Sequence, residues 1–304
     1  MFTDVKNIDY IIKGRETTDG AGVKLKRIFG GPNTVDITDP FLLLDRFGSD
    51  RIEEYIAGFP WHPHRGIETV TYLLSGKVEH QDSTGHKGVI YPGDLQWMTA
   101  GSGIFHQEMP EPLDEKNPEE LMKVNGMPTL VAGFQLWINL PARFKMTTPT
   151  YRNIKAAQLP CINGDGFSVK IIAGSYGKID GLYDSKYGID PVYLDISMDE
   201  SAEFTYKINN AYNTILFAVN GQGYLRNQKL EKDTAAILSK NGSYVQIKTK
   251  NSKFRFLLLA GKPTNEIIKW YGPIVMNNDD QIRDAIRDLD NNNFVRNKEP
   301  VFEI

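Results

Sequence analysis

All five histidines of the chain lie between positions 62 and 106, and the remaining sequence contains none. The closest pair is in the segment Trp61-His62-Pro63-His64, where one residue separates the two imidazoles. On a β-strand, residues i and i+2 project from the same face, so both imidazoles can reach one point. A single pair of this kind is more often a surface feature than a metal site, so a further ligand is needed.

A second pair, His106 and Glu108, has the same spacing. If its strand lies beside the first, three imidazole nitrogens and one carboxylate converge. Imidazole binds iron, copper, nickel and zinc, and an octahedral ion with four such ligands keeps positions for a substrate and O2. Open positions are typical of catalytic metals, since four protein ligands enclose a structural zinc ion. The other histidines, His80 and His86, are expected to pack or to face solvent. The predicted ligands are His62, His64, His106 and Glu108.

Glu68 is a second candidate carboxylate, because it lies four residues beyond His64 and would share its strand face. In a regular strand its Cα would lie about 13 Å from that of His64, at roughly 3.3 Å per residue. Only a bulge, most simply at Gly66, would bring it to the metal. Glu108 needs no such distortion. We therefore expect Glu108 to bind the metal and Glu68 to have a supporting role, such as orienting an imidazole.

The segments around these residues predict an all-β protein. Many short runs of apolar and β-branched residues are separated by glycine- and proline-containing turns, for example residues 69–74 before Ser75-Gly76. Short strands at near-regular spacing are typical of a sandwich or barrel. One helix is predicted near the end, with Asn277 or Asn278 as its cap. Its apolar stripe, which we expect to pack across a sheet, consists of Ile282, Ala285, Ile286 and Leu289.

A weak internal repeat indicates that the barrel is duplicated. Residues 69–76 (TVTYLLSG) resemble residues 214–221 (TILFAVNG), and a second, looser match follows in the same order. The boundary is predicted near Pro149, which gives domains 1–149 and 150–304. Counting back from the second repeat places Lys207 and Asn209 where the first repeat has its histidine pair, so the second barrel is predicted to hold no metal.

The composition narrows the functional class. Hydrophobic residues at 40% and charged residues at 24% are typical of a globular chain of 304 residues. A net charge of −3 argues against direct nucleic-acid binding, although a mildly basic stretch is present at Arg15, Lys24, Lys26 and Arg27. One cysteine excludes an intrachain disulfide and a cysteine-based zinc cluster. With no signal-like start and no membrane-length apolar run, we expect a soluble, cytoplasmic protein without a membrane partner.

Five stretches carry a resemblance to a known family: 39–45 (DPFLLLD), 58–76 (GFPWHPHRGIETVTYLLSG), 91–106 (YPGDLQWMTAGSGIFH), 134–140 (FQLWINL) and 271–277 (YGPIVMN). Over essentially its whole length the chain resembles pirin and the pirin-like bicupins. The resemblance implies two cupin barrels face to face, with a metal only in the first barrel and a helix near the carboxy terminus.

The resemblance also implies the cofactor and the activity. Iron as Fe(II) is expected at His62, His64, His106 and Glu108, with copper, nickel, manganese or zinc as alternatives. Some relatives open quercetin with O2, as a quercetin 2,3-dioxygenase does. Eukaryotic pirins are iron-dependent transcriptional co-regulators of the nucleus, so a nuclear location is the alternative if the source is eukaryotic.

The leading hypothesis is an Fe(II)-dependent dioxygenase whose partners are a flavonol-like aromatic substrate and O2. Glu108 would take the proton of the flavonol hydroxyl, as the catalytic base. The first alternative is a regulatory protein whose iron state alters a protein-binding surface, and the second is a cupin isomerase or a small-molecule binding protein. Four apolar residues either form the mouth of the site or belong to the barrel core: Phe59, Trp61, Met98 and Phe105.

Overall fold

The computed structural model describes residues 4–113, 130–183 and 187–296, and β-strands dominate these ranges. In chain order the strands are β1 (Ile8–Lys13), β2 (Arg15–Asp19), β3 (Val23–Gly30), β4 (Phe41–Ser49), β5 (Phe59–His64), β6 (Ile67–Ser75), β7 (Lys77–Asp82), β8 (Lys87–Ile90), β9 (Leu95–Thr99), β10 (Ile104–Glu111), β11 (Val131–Asn139), β12 (Thr150–Ile154), β13 (Cys161–Gly164), β14 (Phe167–Ala173), β15 (Ser175–Tyr176), β16 (Ile179–Asp180), β17 (Val192–Met198), β18 (Glu203–Lys207), β19 (Asn213–Leu225), β20 (Gln228–Glu231), β21 (Thr234–Leu238), β22 (Tyr244–Lys248), β23 (Phe254–Gly261), β24 (Lys269–Tyr271) and β25 (Ile274–Met276).

Helical structure is sparse. The described residues contain one short α-helix, α1 (Val35–Thr38), and one longer helix, α2 (Asp279–Asp290). Short 3-10 turns cover Ile52–Glu54, Ala142–Phe144 and Ala156–Gln158. Across the described residues, no helix has the length and apolar character that a membrane crossing requires.

The chain forms two compact units, each assembled from three segments. Unit A contains the described residues within 15–33, 41–156 and 265–304, and unit B contains those within 1–14, 34–40 and 157–264. This division differs from the two continuous domains expected from the sequence, 1–149 and 150–304. The difference has a physical cause, since β1 completes a sheet edge beside β21 while α2 buries its apolar stripe against β25.

Unit A consists of two antiparallel sheets and a small hairpin. The larger sheet has the order β12-β9-β6-β11-β4-β3-β2, the smaller sheet has the order β5-β10-β7-β8, and β24 pairs with β25. Every residue of β6 is buried, which fits its central place between β9 and β11. On β10, buried and half-buried residues alternate along the strand, so one face of this strand points into the unit.

Unit B is built around an apolar core. Its large sheet follows the order β1-β21-β19-β23-β17-β14-β13, with β18, β20 and β22 attached and a separate β15-β16 hairpin. Alternate residues of β17 (Leu194, Ile196 and Met198) enter one buried cluster with Leu216 and Leu258 from neighbouring strands. The alternation is the two-residue period that strands require, and it explains why this region was recognisable as β-structure from the sequence.

The predicted helix near the end of the chain is present as α2. Asn278 caps it, since its side chain accepts a hydrogen bond from the backbone N–H of Gln281 at 2.9 Å. Ala285 is fully buried, and the helix packs against the β24–β25 hairpin with Phe294 beside it. The helix therefore covers a two-stranded hairpin rather than a broad sheet.

Candidate metal centre

The histidine-bearing strands β5 and β10 are antiparallel neighbours. His106 lies directly opposite His62, and Ile104 lies opposite His64. Because directly opposed residues of antiparallel strands project to the same side, the three imidazoles share one face. Their ring centroids are separated by 4.3 Å (His62 to His106), 4.9 Å (His62 to His64) and 5.0 Å (His64 to His106). The predicted pairing of the two motifs therefore occurs.

The imidazoles are arranged to offer lone pairs to one point. Potential ligand atoms of His62, His64 and His106 all lie within 4.8 Å of one another, and no other such group of three occurs in the described parts of the chain. His62 Nδ1 donates to the carbonyl of Pro60 at 2.9 Å, and His64 Nδ1 donates to the carbonyl of Pro273 at 3.3 Å. A carbonyl oxygen only accepts, so each Nδ1 carries a hydrogen, and the neutral form of each imidazole then has its lone pair on Nε2, available to a metal.

His106 provides the test of whether a metal fits. Both of its ring nitrogens are buried, and neither has a hydrogen-bond partner among the described residues. Leaving a buried polar group unpaired costs about 1–3 kcal/mol, so such groups are uncommon unless they have a function. Burial also lowers the pKa of His106 and of His64 well below the usual histidine range, which keeps these imidazoles neutral. Three imidazoles whose ligand atoms lie within 4.8 Å of one another, with His64 and His106 held neutral, fit a transition-metal ion.

Glu108 lies beside this cluster, not within it. It is buried on the same face of β10 as His106 and lines the same cavity as His62 and His64. Its Oε1 accepts a hydrogen bond of 2.7 Å from the hydroxyl of Thr71, and its carboxylate is not among the mutually close ligand atoms. Burial raises the pKa of Glu108, while the Thr71 hydrogen bond opposes that rise. The role of Glu108 as a fourth ligand therefore stays a prediction.

The geometry of Glu68 differs from the regular strand assumed in the sequence argument. β5 ends at His64 and β6 begins at Ile67, so Glu68 belongs to a different strand in a different sheet. The chain turns at Gly66, whose φ of +79° is in the left-handed region that glycine tolerates best. Glu68 is buried and accepts a hydrogen bond of 2.7 Å from Thr99 Oγ1. This contact makes Glu68 part of the packing between β6 and β9.

A cavity of about 640 Å³ in unit A extends from His62 and His64. One wall is aromatic: the rings of Trp137 and Trp270 stack with centroids 5.8 Å apart, and Phe59 also contributes to the lining. The polar residues of the lining include Thr71, Gln135 and Glu108. This volume is within the usual range for small-molecule sites, and apolar walls with a few polar groups are typical of them.

The four apolar residues expected either at the mouth of the site or in the barrel core lie in different places. Phe59 lines the cavity, whereas Met98 is fully buried in the core and Trp61 is 46% exposed. Phe105 packs edge-to-face against Phe294, on the opposite face of β10 from His106. Trp61 and Phe105 are each one residue from a cluster histidine, so strand alternation turns them away from the site.

The remaining histidines take the structural roles expected for them. His80 Nε2 hydrogen bonds with the hydroxyl of Tyr151, and His86 Nδ1 donates to Asp82 Oδ2 at 3.1 Å. Burial lowers the pKa of His80 to about 4. Neither histidine belongs to the group of close ligand atoms.

Part of the basic stretch contributes to the cavity wall. Arg27 binds Asp45 through two hydrogen bonds, of 2.9 and 2.7 Å, and a third bond of 2.8 Å joins it to Asp19. Arg15 and Arg27 both line the cavity, while Lys24 pairs with Glu54. The positive charges of Arg27 and Lys24 are therefore compensated by neighbouring carboxylates.

Several lining residues were missed by the sequence argument. Gln135 and Trp137 are the half-buried positions of β11, whose other residues are buried, and a polar residue within such an apolar run was a usable signal. Thr71 had no distinguishing feature within β6. Trp270 and Pro273 lie more than 150 residues beyond the histidines in the sequence, and no local pattern links such distant segments.

We expect one tightly bound transition-metal ion per chain. All of the histidines fall within unit A, and unit B has no imidazole to offer. Elemental analysis of protein purified without added metal, and then reconstituted anaerobically with one divalent metal at a time, measures the stoichiometry. Two ions per chain that resist a mild chelator would contradict the single-site interpretation.

Comparison with known proteins agrees with this architecture. The Pirin family model matches residues 22–138, and the model of the Pirin C-terminal cupin domain matches residues 193–295. A relative from Thermoplasma acidophilum, provisionally named a quercetin 2,3-dioxygenase, is 43% identical over 267 residues, covering 84% of this chain and 100% of the relative. Human pirin is 37% identical to this chain over 302 residues, and the match covers 96% of each protein.

Solved structures give the same result. A crystal structure named quercetin 2,3-dioxygenase, from Acinetobacter baumannii, superposes with a TM-score of 0.83 at 31% identity, covering 95% of this chain and 98% of that chain. The two antiparallel β-units therefore correspond to the two cupin domains expected from the resemblance. Because both family models match in order and the similarity spans nearly the full length, the chain belongs to the pirin family.

Proposed function

We propose that this protein is a metal-dependent dioxygenase that uses O2 to open the central ring of quercetin or a related flavonol. The observation that carries the proposal is the cluster of three imidazoles, His62, His64 and His106, of which His62 and His64 line a cavity with an aromatic wall. Relatives named as quercetin 2,3-dioxygenases support the same reaction class. We further propose iron as the ion, held by His62, His64 and His106 with Glu108 as the fourth ligand.

When bound, the metal would supply positive charge that lowers the pKa of an adjacent flavonol hydroxyl. The chain's own proton acceptor is Glu108, whose carboxylate lines the cavity and is already bonded to Thr71 on one oxygen. Burial raises the pKa of Glu108, and a raised pKa makes a carboxylate a stronger base. We therefore assign Glu108 the removal of the 3-hydroxyl proton, with Thr71 fixing the direction of its carboxylate.

The aromatic wall suits a flat, rigid substrate. Trp137 packs edge-to-face on His64, with ring centroids 5.0 Å apart, and Trp270 stacks on Trp137 in the same wall. Aromatic faces bind planar ring systems by stacking and by area burial. A flavonol with its 3-hydroxyl directed to the histidine cluster would lie along this wall.

The test is oxygen consumption by protein reconstituted separately with Fe(II), Cu(II), Ni(II) and Mn(II). Quercetin is compared with its analogue that lacks the 3-hydroxyl, since that analogue offers Glu108 no proton. We expect quercetin-dependent O2 uptake with at least one metal and about 100-fold less with the analogue, the scale of one general-base contribution. If quercetin stays unchanged with all four metals, the dioxygenase proposal is refuted.

A regulatory role is the second candidate, because the similarity to human pirin extends over 96% of both chains. In that case the metal would change a protein-binding surface and no flavonol would be consumed. Metal-dependent association with a protein partner, in the absence of turnover, would favour this candidate.

A further inference from the structure

The carboxy-terminal part of unit A contacts the turn that follows the first histidine pair. The carbonyl of Pro273 accepts the hydrogen bond from His64 Nδ1, and the backbone N–H of Val275 donates to the carbonyl of Arg65 at 3.1 Å. A Cβ placed on Gly66 would lie only 2.0 Å from the Val275 carbonyl oxygen. Glycine at this turn therefore permits direct backbone contact between the histidine strand and the β24–β25 hairpin.

A buried lysine strengthens the same contact. Lys145 is 1% exposed, and its Nζ donates to the carbonyls of Gly66 and Val275 at 2.9 and 3.0 Å and to Asn139 Oδ1 at 2.6 Å. Hydrogen bonds from a charged donor are stronger than neutral ones, particularly away from water. The turn after His64 is thus tied to the hairpin by more than main-chain contacts.

Arg65 is tied to the residues beyond the hairpin. Its guanidinium is buried, donates to Asp288 Oδ2 at 2.8 Å and to the Phe294 carbonyl at 2.9 Å, and lies 4.2 Å from the Phe294 ring centroid. A buried guanidinium needs such partners, because removing one of them leaves an under-compensated charge. Asp288 is on α2, so the helix position and the Arg65 position depend on each other.

Phe294 also contacts the second histidine strand. Its carbonyl oxygen would be 2.4 Å from a Cβ on Gly103, immediately before β10, and its ring packs against Phe105 with centroids 5.6 Å apart. Phe294 therefore lies against residues next to both histidine strands, Arg65 after β5 and Gly103 before β10.

From these contacts we infer that Arg65, held by Asp288 and Phe294, is a positioning residue that fixes the spacing between the His62/His64 strand and the His106 strand. The inference rests on the proposed metal centre. It assigns control of metal affinity to the last described segment of the chain, although the histidines all lie within the first 106 residues. We call the contacts of Arg65 with Asp288 and Phe294 the clamp. Loosening the clamp displaces the imidazoles by small distances, and the affinity of a transition-metal site depends strongly on the orientation of its ligands.

The test uses Co(II) as a spectroscopic probe in full-length protein. Asp288→Asn keeps the size of the side chain but removes the charge facing Arg65. We expect its Co(II) dissociation constant to rise about 10-fold or more, the usual scale for residues that orient metal ligands, with a change in the visible Co(II) absorption bands. The metal-free variant should still unfold cooperatively.

Arg296→Ala is the matched control. Arg296 forms an exposed ion pair of 2.8 Å with the same Asp288 oxygen, so its removal tests the loss of that pair without touching Arg65. We expect wild-type Co(II) affinity and spectrum. Phe294→Leu is a second variant, which keeps the backbone carbonyl and removes the ring over Arg65, and it should also weaken Co(II) binding.

Two outcomes overturn the inference in distinguishable ways. If wild-type protein binds Co(II) while Asp288→Asn and Phe294→Leu bind it with the same affinity and spectrum, the clamp does not position the ligands and the metal centre stands. If wild-type protein binds no Co(II), the metal centre itself is refuted, and the inference is refuted with it.

Discussion

Replacing His106 by leucine is expected to abolish tight metal binding and to reduce flavonol-dependent O2 consumption by more than about 100-fold. Loss of a residue that only orients a ligand typically costs 10- to 100-fold in affinity or activity, so loss of a ligand should cost more. His106 is directly opposite His62 and is 1% exposed, so no neighbouring water can take its place without rearrangement. Metal content after gel filtration and oxygen-electrode rates measure the two effects.

The same substitution has the opposite expected effect on the metal-free protein. Leucine removes two buried nitrogens that lack hydrogen-bond partners, which cost about 1–3 kcal/mol while unpaired. We expect the metal-free variant to melt at the same temperature as metal-free wild type or above it, while added metal raises the melting temperature of wild type only. The control is His86→Gln, outside the cluster, which should keep the metal. A His106→Leu protein that retains the metal would contradict the site.

Glu108→Gln is expected to lower the quercetin-dependent rate by about 100-fold or more, the contribution of a positioned general base. The amide matches the carboxylate in shape and can still accept the hydrogen bond from Thr71, so the fold should persist. It carries no negative charge and cannot take the flavonol proton. Because Glu108 is also the proposed fourth ligand, the Glu108→Gln protein should lose its metal faster than wild type during dialysis against a mild chelator.

Glu68→Gln is the paired control, because Glu68 is also buried but accepts its hydrogen bond from Thr99 on another strand. We expect it to keep its metal and most of its activity. Faster metal loss from Glu68→Gln than from Glu108→Gln would show that the wrong carboxylate has been assigned. A Glu108→Gln protein that keeps its metal but loses activity would leave Glu108 as the base alone.

Strand alternation explains why two of the four residues considered for the mouth of the site lie away from it. Trp61 and Phe105 are each adjacent in sequence to a cluster histidine, and adjacent strand residues point to opposite faces. Trp61 is 46% exposed, and Phe105 packs against Phe294. The same alternation that places His62 and His64 on one face turns these two residues away from the cluster.

The sequence alone determined the class of fold and the histidine cluster. Short strands with a two-residue apolar period require an antiparallel β-architecture, and i, i+2 spacing fixes which side chains share a face, because both properties are set by the local geometry of the strand. The capped helix α2 was also predictable, since its periodicity and its Asn278 cap are local. These features need no knowledge of distant contacts.

Only the tertiary structure decided the rest of the site. Whether Glu68 stays on the strand of His64 depended on the turn at Gly66, where the absence of a side chain permits the close contact with Val275. The aromatic wall needed Trp270 beside Trp137, and the tautomer of His64 needed the Pro273 carbonyl. Such pairings between distant segments arise from the summed burial of many residues, and no local spacing encodes that sum.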